Sequence, residues 1–197
     1  YSEAKIMQKG FGDSIKKKSL KDIKYLRFHN DEKIANNLLR NKNTIAAKKI
    51  YIKLLNDGYQ NFDVLFNLGF IELSQKKYKD AINYLTKAKL LSKKNNLKLI
   101  FGMVNCLLAL KDFDKARFIL DEAIENDPKE ELLIFNYAKV EEDLLNINQA
   151  IELYERGLKI DPNNFKALSN LGRLYQKNKN YPSAIEVYKK AINLQPN

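Results

Sequence analysis

SNLGRLYQKNKNYPSAI, residues 169–185, holds a Leu-Gly pair, a tyrosine three residues beyond the glycine, a polar stretch with a proline, and then Ala-Ile. Gly172 would read as a phosphate-loop glycine or a hinge if it stood alone. It does not, because the stretch recurs. Thirty-four residues before Ala184 is Ala150, thirty-four before that Ala116, then after a step of 35 Ala81, and thirty-four earlier Ala47. Four residues after each alanine stands a large side chain (Tyr188, Tyr154, Leu120, Leu85, Tyr51). Three further on stands a mostly small one (Ala191, Gly157, Ala123, Ala88), with Leu54 as the exception. Positions i, i+4 and i+7 share one helix face, so the profile is one of helix packing. Gly172, with Gly69 and Ala138 at the matching places, reads as a close approach between two helices of one repeat.

The composition agrees. Of 197 residues, 45% are hydrophobic and 11% aromatic, while glycine (7) and proline (4) are scarce, which favours helices over a turn-rich β fold. The single Cys106 excludes an intrachain disulfide and any multi-cysteine metal site. The formal net charge of +11 is unevenly spread. Residues 1–27 carry eight basic and three acidic side chains, residues 97–164 eight basic and fourteen acidic, and residues 165–197 return to +5. A nucleic-acid binder would keep one continuous basic face, and the acidic middle interrupts it.

Leu171-Gly172 with Tyr175, Leu68-Gly69 with Glu72, the alanine ladder, and Pro128, Pro162 and Pro196 at spacings of 34 together resemble the tetratricopeptide repeat. Five repeats fit, at 28–61, 62–95, 97–130, 131–164 and 165–197, with Asn96 as a one-residue insertion and residues 1–27 as a basic leader that caps or links. The departures are Asp31, Leu65, Ile100, Ile134 and Leu168 where the family often has tryptophan, and Met103-Val104 and Tyr137-Ala138 where it has Leu-Gly. The resemblance implies an all-α, right-handed superhelical solenoid of antiparallel helix pairs, with the first helices lining a concave groove. Gly10 and Gly12 are expected to interrupt the start of the leader, whose Ile15, Leu20, Ile23 and Leu26 allow a basic helix. The last repeat is expected to leave an apolar edge open to self-association. The absence of an initial Met points to a bacterial envelope protein whose signal or anchor has been removed, with the cytoplasm as the alternative.

The family usually holds its ligand in the groove. Phe66, Phe101 and Phe135 are the fifth residues of three successive repeats and Phe70 is the ninth of the second. Two readings of these rings stand: an apolar ligand stripe, or packing between repeats. Chaperone-binding relatives grip a C-terminal carboxylate with Lys and Asn at set places. Asn36, Asn67 and Lys98 match three of the five, and Asn105, Asn136 and Lys166 match the same three one window later. Each window lacks a cation, with Glu32 and Gly102 or Phe101 and Asn170 in the remaining places, and one cation compensates a desolvated carboxylate poorly. The asparagines remain candidates for hydrogen bonds to an extended peptide, joined by the groove positions Asn170, Arg173 and Lys177.

The inventory for catalysis is thin. His29 has no evident partner, Cys106 lies among apolar residues of a first helix, and Asp112 and Asp114 supply too few oxygens for a metal. Glu141, Glu142 and Asp143 read as a solvated or groove-edge patch. The expected function is a non-enzymatic scaffold, without metal, cofactor or small-molecule substrate, binding a peptide or helix of another protein. The alternative is an adaptor for an anionic surface, membrane or nucleic acid, through the leader.

Overall fold

The structure, a computed structural model, describes residues 2–92 and 96–194, with side chains from Leu20 onward. It divides into two compact bodies, Tyr1–Ser92 and Lys93–Asn197. Among the described residues all regular structure is helical. The N-terminal body holds α1 (Ser2–Arg40), α2 (Thr44–Asn56), α3 (Phe62–Ser74) and α4 (Tyr78–Leu91). The C-terminal body holds α5 (Leu97–Ala109), α6 (Phe113–Asn126), α7 (Glu131–Asp143), α8 (Ile147–Ile160), α9 (Phe165–Lys177) and α10 (Tyr181–Leu194). Each repeat is therefore a pair of helices, and α1 runs unbroken through Gly10 and Gly12, contrary to the expected interruption. A glycine costs roughly 1 kcal/mol in a helix interior, too little to stop a helix of 39 residues.

The turns explain why the pairs are so regular. Lys42, Lys76, Lys111, Leu145 and Lys179 all have φ between 58° and 64°, each five residues before a ladder alanine. At every one the next residue's N–H returns to a carbonyl five residues back, for example Lys77 N–H to Glu72 and Asn146 N–H to Glu141, both at 2.9 Å. This is the left-handed helix terminus that usually employs glycine. The opposite turns before α3, α5 and α9 are set by asparagine caps, while Glu130 caps α7. Asn61, Asn96 and Asn164 accept the amides of Val64, Leu99 and Ala167 at 2.8–3.0 Å. Asn96 thus opens α5, and Pro128 and Pro162 lie in the turns that precede α7 and α9. Pro196 lies outside the described residues.

Packing follows the ladder. All five alanines are buried, as are Tyr51, Leu85, Leu120 and Tyr154 four residues beyond. A Cβ added to Gly172 would lie 2.6 Å from Cε1 of Tyr188, so glycine there lets α9 meet α10. Gly69 meets Leu85 in the same way between α3 and α4. The N-terminal core joins Phe28, Ala35, Tyr51, Leu54, Leu68 and Ile71. In the C-terminal body a second core joins Ala138, Ile151, Tyr154, Leu168, Leu171 and Val187.

Candidate functional site

In the N-terminal body the first helices α1 and α3 bring Asn36 and Asn67 together. Tyr51, fully buried on α2, donates to Asn36 Oδ1, and Asn67 Nδ2 donates to Asn36 Oδ1 at 3.0 Å and to the Tyr51 hydroxyl oxygen at 3.1 Å. Burial pushes the Tyr51 phenol up to about 12, partly offset by the Asn67 hydrogen bond. The network uses Asn36 Oδ1 and Asn67 Nδ2. Left to offer a ligand are the Asn36 Nδ2 donors and the Asn67 Oδ1 acceptor, the complement of a peptide group.

Beside this pair, α3 carries Phe62, Phe66 and Phe70 one helical turn apart. Their ring centroids are 5.3 Å and 4.7 Å from one another in sequence order, and all three rings are partly exposed. Phe62 escaped the sequence reading, although an i, i+4, i+8 run of one residue type signals a stripe.

The other expected site residues lie in the C-terminal body. Lys98, Asn105, Asn136 and Lys166 are exposed and Phe101 is partly buried. Asn136 Nδ2 donates to the Leu132 carbonyl of its own helix at 2.7 Å. Phe135 rests on Gly157, where an added Cβ would strike its ring, and lies 6.3 Å from the Tyr154 ring, so it packs within its own repeat. Asn170 donates to the Tyr154 hydroxyl at 3.1 Å, repeating the Asn67–Tyr51 bond 103 residues later. Burial pushes Tyr154 up to about 12 as well.

The acidic run is not a solvated patch. Glu141 is 0% and Glu142 7% exposed; only Asp143 lies at the surface. Arg117 on α6 grips Glu141 on α7 with both ends of its guanidinium, Nε to Oε1 at 2.6 Å and Nη2 to Oε2 at 2.9 Å. Asn146 Nδ2 adds a third bond to Oε2 at 2.7 Å. The hydrogen bond to Glu141 holds the Arg117 guanidinium above its usual range. Arg173 on α9 reaches Glu142 Oε1 at 2.6 Å, which ties that expected groove residue to α7. In the N-terminal body Lys48 on α2 meets the buried Glu72 on α3 at 2.6 Å. Glu141 and Glu142 were missed because a run of charge in one dimension looks solvated. The signal that finds Glu72 and Glu141 is a cation directly after a ladder alanine, Lys48 or Arg117, 24 positions earlier.

The inventory for chemistry stays small. Cys106 is buried, and burial pushes its thiol up to about 11. His29 is exposed. Asp112 caps α6 through the Lys115 amide and pairs with the Lys115 ammonium at 2.6 Å, which lowers its carboxyl. Among the described residues no cluster of His, Cys, Asp or Glu could hold a metal.

Helix pairs joined by left-handed turns, with an alanine ladder along their second helices, define a helical-hairpin repeat protein. Sequence profiles of the tetratricopeptide repeat match residues 72–133, 146–179 and 165–197, and the chain belongs to that family. A TPR repeat-containing protein of Methanocaldococcus jannaschii is 27% identical over 105 residues, which are 53% of this chain and 18% of that protein. The chain therefore spans under a fifth of that relative's length. Among solved structures, MamA is similar at TM-score 0.72 and 21% identity, over 83% of this chain and 95% of that one. YrrB, described as a TPR protein with an unusual peptide-binding site, follows at TM-score 0.67 and 22% identity, over 85% and 86%. The form from Desulfovibrio magneticus gives TM-score 0.73 at 16% identity, over 86% and 95%. These likenesses are likenesses of fold.

Proposed function

We propose that the protein is a non-catalytic scaffold that binds a segment of another protein on the first-helix face of its N-terminal body. One observation carries this reading: the Asn36–Asn67 pair, held by buried Tyr51, stands next to the partly exposed Phe62–Phe66–Phe70 column. A preset donor and acceptor match the backbone of a bound segment, while the rings take its apolar side chains at little conformational cost. The membership in a repeat family and the peptide-binding site described for YrrB support it by analogy.

The test is site-specific photocrosslinking in the native cells. A benzophenone amino acid placed at Phe70 should capture a discrete partner band, whereas the same probe at Leu90, 82% exposed on α4, should not. Equal labelling at both positions would sink the reading. A second reading, adsorption to an anionic surface, has one observation in its favour. Residues 20–27 of α1, including Lys21, Lys24 and Arg27, are exposed throughout. Binding through that stretch would fall steeply with salt, and salt-insensitive binding removes it.

A further inference from the structure

The charge excess of the chain is not confined to residues 1–27. Residues 40–49 carry Arg40, Lys42, Lys48 and Lys49 and no carboxylate, and residues 74–80 carry Lys76, Lys77 and Lys79 against Asp80 alone. The fold brings these two stretches to one edge of the N-terminal body. Asn61 meets Glu32 and, further along both helices, Asn67 meets Asn36, so α1 and α3 run side by side in the same direction and end together, at Arg40 and Ser74. Lys48 on α2 reaches Gln75 at 3.4 Å and Glu72 at 2.6 Å, which sets the α1–α2 turn beside the α3–α4 turn. Lys48 is spent on those contacts. Arg40, Lys42, Lys76, Lys77 and Lys79 are exposed, and none of the five is in an ion pair among the described residues. Packing does not call for them, and like charges at close quarters repel. Lys42 and Lys76 moreover hold left-handed turn positions that favour glycine or asparagine.

We infer that this edge receives an acidic flank, rich in Asp or Glu, of the partner segment whose apolar part sits on the phenylalanine column; the inference rests on the binding site proposed above. Continuity carries it. The Phe62–Phe66–Phe70 column runs along α3 toward Ser74, which lies four residues past Phe70, roughly 6 Å along the helix axis. Asn36 likewise stands four residues before Arg40. A segment laid along the rings and the asparagine pair therefore leaves the site over these cations. That adjacency favours a protein segment over a nucleic acid or a bilayer, neither of which offers a peptide group to Asn36 and Asn67. Exposed cations add little affinity pair by pair, but together they steer an acidic segment and speed its arrival.

The test selects peptides from a random displayed library on the intact chain at low salt. Sequences captured by the parent and lost on Phe70→Ala should carry a block of Asp or Glu beside their apolar residues. Lys42→Asn with Lys76→Asn and Lys79→Gln removes three charges and keeps residues that tolerate the left-handed turns, and against this triple the acidic block should no longer be selected. The best selected peptide should associate with the triple several-fold more slowly at low salt, with its dissociation rate little changed. Lys21→Gln with Lys24→Gln and Arg27→Gln removes three charges from α1 and should leave both readouts in place. An acidic block that is absent from the parent's peptides, kept against the edge triple, or lost equally against the α1 triple overturns the inference, while Phe70-dependent capture would leave the proposed site standing. Failure to select any peptide whose capture depends on Phe70 sinks the site, and the inference with it. A single-stranded oligonucleotide, or vesicles of phosphatidylserine and phosphatidylcholine, that bind through the same three lysines and displace the peptide would assign the edge to another partner and overturn it as well.

Discussion

The α2–α3 and α6–α7 contacts put the same chemistry at the same repeat position and finish it differently. Glu141 accepts three hydrogen bonds, two from Arg117 and one from Asn146, and both of its oxygens are served. Glu72, 3% exposed, meets Lys48 through Oε1 alone, and its buried Oε2 has no hydrogen-bond partner. Two residues make the difference. Arginine offers a planar fork where lysine offers a point charge. Five residues after the glutamate, the turn supplies Asn146 in one case and Lys77 in the other. A buried carboxylate stabilises only when its surroundings satisfy it, so the matched positions should differ in worth although both look like salt bridges.

The largest effect should come from removing the cations. Arg117→Met leaves Glu141 buried with only Asn146, and should cost about 3 kcal/mol in urea unfolding. Lys48→Met should cost about half as much, because Glu72 starts half-satisfied and loses one charged contact where Glu141 loses two hydrogen bonds. Equal losses, or the reverse order, would break the comparison.

This contrast also marks how far the sequence could be read. The ladder of Ala47, Ala81, Ala116, Ala150 and Ala184 gave away the helix pairs because burial of a small residue at every close approach leaves a periodic trace. Gly172 was legible for the same reason. Glu141 and Glu142 were not, since their partners are 24 and 31 residues away in Arg117 and Arg173, and local charge density says nothing about such distances. Asparagine richness hid two physical roles. Asn61, Asn96 and Asn164 are helix caps, while Asn36, Asn67 and Asn170 bond to one another or to buried tyrosines, and only geometry separates the groups. Phe135 showed the same limit: its place in the repeat matched Phe66, but Gly157 exists only in its own repeat to receive the ring.

The comparison sharpens if the missing donor is supplied. Lys77→Asn in the N-terminal body copies Asn146, which spends its amide on Glu141 and makes no side-chain cap of its helix, so it should give Glu72 Oε2 an N–H without capping α4. The gain should be about 1 kcal/mol in the same urea assay. It should vanish in the background of Glu72→Leu, where no oxygen waits for the donor. A gain that survives there would come from the cap alone, and the account of the orphan oxygen would fail.

The smallest effect concerns the turn that carries these donors. Leu145 precedes Asn146 and holds φ at 64° with its side chain 71% exposed, so it bears the strain of a left-handed backbone and gains little from burial. Lys76, before Lys77, has φ 58°. Replacing either by glycine relieves the steric clash, though it also loosens the unfolded chain, and the balance should favour the folded state by roughly 0.5 kcal/mol. If the turn merely ends a helix, the two gains should be equal. In the C-terminal body, however, the turn also aims Asn146 at Glu141, and a freer backbone at residue 145 weakens that aim. Leu145→Gly should therefore gain less than Lys76→Gly, and the gap should close when Glu141→Gln with Arg117→Met removes the charge that Asn146 serves. A Leu145→Gly gain equal to or above that of Lys76→Gly would mean that the turn positions its donor without depending on the residue that strains it.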